Sequence, residues 1–171
     1  MANIITIADF IGQNNIPNKD QIGEDLTGFI TKYQPMYLLT LFGSDLYASY
    51  IVDPTTARFI ALLAQPFLKP ALVDYVYWFY MEDQRVQNLG VGTGETKNEN
   101  AITVGGWNKI VRAWNEMVVY NFKINDFLKT NASIYPEYKQ VDIYYRPVYS
   151  VYYPIHIRVP EIFERVNILG I

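Results

Sequence analysis

Few residues in this chain have types and spacings suited to chemistry, and the most suggestive are the glycines of NLGVGTGETKNEN, residues 88–100. Closely spaced glycines let backbone N–H groups approach a phosphate. Here Gly90, Gly92 and Gly94 give G-x-G-x-G, not the G-x-G-x-x-G of a dinucleotide fold. Lys97 is followed by Asn98, so there is no G-K-[ST] either. The run also follows a predicted helix, where both phosphate motifs need a strand before them. It reads as a long polar loop between helices. Glycine also permits close backbone approach, which makes Gly90, Gly92 and Gly94 candidate contacts with a neighbouring chain.

The other candidates are weaker. His156 is the one histidine, placed between Ile155 and Ile157 in an extended segment. It has no cysteine to activate and no second histidine with which to share a metal. It reads as a surface or edge residue. The acids Glu24-Asp25 and Glu82-Asp83 are sequence neighbours. Adjacent residues diverge on a helix, so neither pair is a carboxylate dyad. They read as solvated helix surface, with a weak divalent-ion site the only other use. Trp107 and Trp114 stand seven apart on one helical face, a core pattern and not a base-stacking platform. No catalytic residue, cofactor or metal is expected.

The elements that would position such residues are mostly helices. The chain has 171 residues, half of them apolar, enough for one domain with a core. Residues 6–12 are expected to start with a short helix capped by Thr6. From Lys19, Ile22, Leu26, Phe29, Ile30 and Tyr33 mark one helical face. Pro35 is expected to open a short helix that Gly43 stops, and Ser44 to cap the next turns. Asp53-Pro54 reads as an N-cap and first helical position, with that helix ending near Pro66. The next helix runs from about Leu68 to Gln87. Its centre, YVYWFYM (75–81), is apolar around the whole circumference, so it should be buried at the middle of a bundle or a subunit contact. A last long helix carries Trp107, Ile110, Val111, Trp114, Met117, Val118, Phe122 and Leu128 on one face, and its pattern ends near Asn131. Tyr135-Pro136 then turns the chain.

The segment VDIYYRPVYSVYYPIHIRVP, residues 141–160, obeys a different rule. Every odd position from Val141 to Val159 is apolar, the period of an extended strand. Pro147, Pro154 and Pro160 remove backbone donors and confine such a strand to an edge. Twenty extended residues reach roughly 65 Å at ~3.3 Å each. A domain of this size is roughly 30–40 Å across. The arm is therefore long enough to leave its own fold. Its apolar face suits docking along another chain, with Tyr145, Tyr149 and Tyr153 as anchors beside Val151 and Ile155. The alternative is that it folds back over its own helices as one or two short hairpins.

Composition excludes several classes. The chain has no cysteine, so it has no disulfide and no thiolate metal site. The opening MANIITIADFIG lacks a basic region and a long apolar run, and is not read as a signal peptide. No apolar stretch is long enough to span a bilayer. Residues 1–100 hold 11 acids and 6 bases, a charge of −5. Residues 101–171 hold 6 acids and 8 bases, a charge of +2. That asymmetry is too mild for a dedicated nucleic-acid binder. The chain contains 15 tyrosines, a residue favoured at protein–protein contacts.

Two runs carry a resemblance to a known family. Y-x-P-x-Y-L-x-x-L-F-G-x-x-L-Y spans Tyr33 to Tyr47, and G-V-x-x-x-E-x-x-x-x-x-A spans Gly90 to Ala101. With the aromatic helix between them and the tryptophan-bearing helix after them, the chain resembles head–tail connector (adaptor) proteins of tailed bacteriophages. It is most similar to those of crAss-like and other Bacteroidetes-infecting phages. The resemblance covers roughly residues 20–130, and its motifs are structural. It implies a virion protein at the portal vertex, made in the host cytoplasm, that forms a ring, commonly of twelve copies. Such a ring contacts the portal and the tail or further ring proteins, and passes genomic DNA through its channel without sequence-specific contact. It implies no catalysis and no membrane partner. The expected fold is mainly α, a compact helical domain over residues 1–134 with a long glycine-rich loop, then an extended arm over 135–171. The alternatives are a small nucleic-acid-binding module, or an enzyme that binds a nucleotide on the 90–97 loop.

Overall fold

The computed structural model describes residues 3–16, 23–89, 92–95 and 104–139, and these form a mainly α fold. Four helices follow in order: α1 (Gly23–Val52), α2 (Ala57–Leu63), α3 (Leu68–Arg85) and α4 (Val104–Thr130). Two 3-10 turns, Ile7–Asp9 and Gly12–Asn14, precede them. Thr6 stands at the N-cap position of the first, and its backbone N–H donates to Asp9 Oδ2 at 2.7 Å, but the single short helix expected over 6–12 is replaced by these two turns.

In α1 the buried residues Leu26, Ile30, Tyr37, Leu41, Leu46 and Tyr50 recur at helical spacing. Pro35 was expected to begin a new helix, but it lies inside α1. An interior proline removes one helical hydrogen bond and costs ~3 kcal/mol. Buried side chains on both sides, Ile30 before it and Tyr37 and Leu38 after it, hold the helix through that defect. The break comes at Gly43, as expected, with φ 75° and ψ 166°. A side chain rarely adopts that φ, so glycine fits the bend.

The Asp53-Pro54 start also moves. Asp53 Oδ1 accepts from the Thr55 hydroxyl at 2.8 Å and from the Thr55 N–H at 3.2 Å, which closes a local turn. The helix begins only at Ala57, with Thr56 at its N-cap position. Asp53 caps a turn in place of a helix because its side chain competes for nearby backbone donors.

α3 is the centre of the fold and packs against both α1 and α4. Along its middle, Tyr75, Val76, Tyr77 and Tyr80 are buried, and Trp78, Phe79 and Met81 are half-buried. This is the burial its all-round apolarity predicts. α4 covers one flank with Ile110, Val111, Met117, Val118 and Leu128 buried, as its spacing predicts. Trp114 and Phe122 on the same face are half-buried. The N-terminal segment crosses the helices and buries Ile5, Phe10 and Ile16 completely or nearly so. Its turns contact α1, α3 and α4.

The glycine-rich loop is corrected in part. α3 ends at Arg85, and the backbone of Val86–Leu89 (β1) pairs antiparallel with Gly92–Glu95 (β2). Gly92 and Gly94 supply two of the four residues of β2, where the absence of a side chain permits close backbone approach. No single helix among the described residues is long and apolar enough to cross a membrane.

Candidate functional site

The most elaborate polar arrangement lies just after α4, in residues 131–139. α4 ends at Thr130, and Asn131 closes it: its side-chain amide donates to Phe127 O at 2.8 Å. The N–H groups of Ile134 and Tyr135 turn back onto Asn131 O at 2.9 and 3.1 Å. Tyr135 is then driven into the core, only 1% exposed. Its hydroxyl donates to the Arg58 carbonyl at 2.7 Å. That bond ties the post-α4 turn to α2.

Arg58 answers from its other end. Its Nη1 and Nη2 donate to Glu137 Oε2 and Oε1, each at 2.9 Å, in a forked pair. Nη1 also reaches the Ile134 carbonyl at 3.3 Å. Ser49 of α1 donates to Glu137 Oε1 at 3.3 Å. The Arg58 hydrogen bonds hold the Glu137 carboxyl below its ordinary range. One residue on, the Tyr138 hydroxyl donates to Asn125 Oδ1 of α4 at 2.6 Å. Burial, with Asp126 nearby, pushes that hydroxyl up to about 12. Lys139 finally pairs with Asp45 of α1. Residues 135–139 are thus fixed to α1, α2 and α4.

Beside this clamp runs a cleft of about 390 Å³ between the end of α1 and the start of α2. Ser49, Val52, Thr56, Arg58 and Phe59 line it. Of its lining, Val52 is 85% exposed.

The interior holds an aromatic seam. Tyr33 of α1 stacks on Phe79 of α3, and Phe29 meets Tyr80 edge-on. Trp114 of α4 packs on Tyr75 and Trp78, and Tyr75 also meets Tyr33 and Tyr37 of α1. Tyr37 donates its hydroxyl to Asn121 Oδ1 at 2.5 Å in the buried core. These contacts tie α1 and α4 to α3, and Trp114 packs against the core as expected.

Sequence reasoning passed over one group. Asp74 stands on α3 inside ALVDYVYWFY and is only 3% exposed. Asn14 Nδ2 donates to its Oδ1 at 2.5 Å, while its Oδ2 is buried without a hydrogen-bond partner. A single carboxylate flanked by apolar residues on both sides was the signal that marked it. A second cleft, of about 490 Å³, opens between the N-terminal segment and α4 and is lined by Gln13, Arg112, Asn115, Glu116, Tyr120 and Lys123.

Of the expected contact residues, Gly92 and Gly94 lie in β2, opposite Leu89 and Gln87. Gly90 lies outside the described residues, as do Lys97, His156 and the arm residues Tyr145, Tyr149, Val151, Tyr153 and Ile155. Asp25 and Asp83 are exposed on their helices. Among the described residues no group of three acids or histidines is placed to hold a metal. Comparison with family models, curated proteins and solved structures gives no match.

Proposed function

We propose that the chain is a structural protein of a tailed-bacteriophage virion, forming a ring at the portal vertex that joins head to tail and extends the DNA channel. The observation that carries this reading is the clamp at residues 135–139. Four side chains of that short segment, Tyr135, Glu137, Tyr138 and Lys139, are fixed to three helices. Immediately beyond it begins the period-two, tyrosine-rich arm. A firm root gives an arm a constant direction, so that less orientational freedom is lost when it docks. Around a closed ring each copy gives one arm and receives one, so a modest contact is repeated at every interface.

The resemblance in residues 20–130 supplies the biological setting, and the aromatic core fits a wall-building role. The neighbours in this reading are further copies of the chain, the portal protein and the tail or another ring. DNA passes through the channel without sequence-specific contact. The chain acts as a scaffold and needs no catalytic group.

The test replaces Tyr145, Tyr149 and Tyr153 together with serine. The expected result is a helical circular-dichroism spectrum like that of the parent and loss of the oligomer in sedimentation velocity. Unchanged assembly would remove the arm from the interface. Loss of the fold itself would place the arm on its own domain, as a hairpin cover.

A further inference from the structure

We propose that residues 3–16 form a strap latched to the helices through Asp74, closed while that carboxyl is protonated and opening as it ionises. The strap is held by separable contacts. Ile5, Phe10 and Ile16 insert into the core. The Ile4 N–H donates to Gln34 Oε1 at 2.7 Å, and Asp9 pairs with Lys69 at 2.8 Å. Asn14 holds Asp74 at the other end.

The Asp74 end is the weak one for an anion. A buried carboxylate with one donor and one orphaned oxygen lacks the partners that charge demands. The charged groups around it do not compensate. On α4 the nearest is Glu116, a like charge, with Tyr120 beside both. The strap faces Asp74 with the neutral Asn14, while its one acid, Asp9, is engaged by Lys69 of α3. Arg112 and Lys123 line the adjoining cleft, but Arg112 reaches Glu116 and Lys123 lies over the Phe67 and Tyr120 rings. Burial, opposed by Asn14 and reinforced by Glu116, pushes the Asp74 carboxyl up to about 7.

The linkage has a definite sign. With the strap open, Asp74 meets water and titrates near 4, as an ordinary aspartate does. The closed state therefore holds one more proton between about pH 4 and pH 7, and opening becomes easier as pH rises through that window. Above it the effect levels off. Opening would widen the cleft behind Gln13 and bare the core positions that Phe10 and Ile16 cover. It would give the ring subunit a second surface, separate from the arm.

Hydrogen exchange of the full chain, read by mass spectrometry from pH 5 to pH 8 and corrected for intrinsic rates, tests this. The amides of Asp9, Phe10, Asn14 and Asn15 are the reporters, since each is bonded within the strap. Their protection is expected to fall on the order of fiftyfold from pH 5 to pH 7 and then level off, while α4 amides between residues 117 and 128 keep theirs. In Asp74→Asn the strap's protection should be independent of pH. Asn14→Ala, which removes the donor and leaves Asp74 in place, should lower strap protection already at pH 5. Flat wild-type protection, a parallel loss in α4, or an unchanged pH profile in Asp74→Asn would overturn the latch. Should Asp74→Asn not fold, the wild-type profile and Asn14→Ala decide the matter.

Discussion

Tyr33 and Phe79 lie face to face, with ring centroids 4.3 Å apart and planes inclined by 9°. The stack joins α1 to α3 at the seam where both rings are half-buried. Replacing Phe79 with alanine removes the ring and the surface it covers. The expected loss is about 3 kcal/mol, the low end for a large aromatic because burial is incomplete. Trp78→Ala, which strips the packing on Trp114, should cost a similar amount. Urea denaturation checks both, and losses below about 1 kcal/mol at both sites would show that α3 is not central.

Tyr37 and Asn121 form a buried polar contact that joins α1 to α4. Tyr37→Phe leaves the Asn121 carbonyl without the hydroxyl it accepts from. Stability should fall by about 1–3 kcal/mol, the cost of a buried unsatisfied group. Replacing both partners, Tyr37→Phe with Asn121→Leu, should recover part of that loss. A double-mutant cycle measures the coupling.

The Arg58–Glu137 fork is partly solvated, with side chains 27% and 28% exposed. Arg58→Ala should therefore cost little global stability, about 1 kcal/mol or less. Its effect should be local. The amides of Ile134, Tyr135 and Tyr138, bonded within the turn, should exchange faster while α3 is unchanged. Equal protection in the variant would mean that the fork does not fix the arm's root.

Acid should act on the same clamp. Glu137 is held below its ordinary range by Arg58, and Asp45 by Lys139. A depressed carboxyl stabilises the fold above its unfolded pKa, and that contribution is lost as pH falls through the folded value. Exchange protection of residues 134–138 should thus hold from neutral pH down to about 4.5 and weaken below it. Glu137→Gln should remove most of this acid response. Asp74 acts with the opposite sign and in a different window: it favours the closed strap as pH falls from about 7 to about 4, a range over most of which the clamp still holds.

The helical plan was legible because it rests on local pattern. All-round apolarity marked α3 as central, and Gly43 marked the bend in α1. Pro35 and Asp53 misled for a shared reason: packing and turn chemistry outweighed a local start signal. Pro35 is carried by the buried Ile30, Tyr37 and Leu38, and Asp53 spends its carboxylate on Thr55. The pairing of 86–89 with 92–95 had no alternating pattern to announce it. Arg58 and Glu137 stand 79 residues apart, and no periodicity links them. Asp74 was visible as a lone acid in an apolar run, but only the fold supplies Asn14 and Glu116 as its surroundings.

Electron microscopy of the purified full chain, beside a chain ending at Lys139, tests the ring reading most directly. The account expects closed rings with an open centre from the full chain, and folded single subunits from the shortened one. Identical rings from both chains, or a full chain that stays monomeric at every concentration, would contradict it.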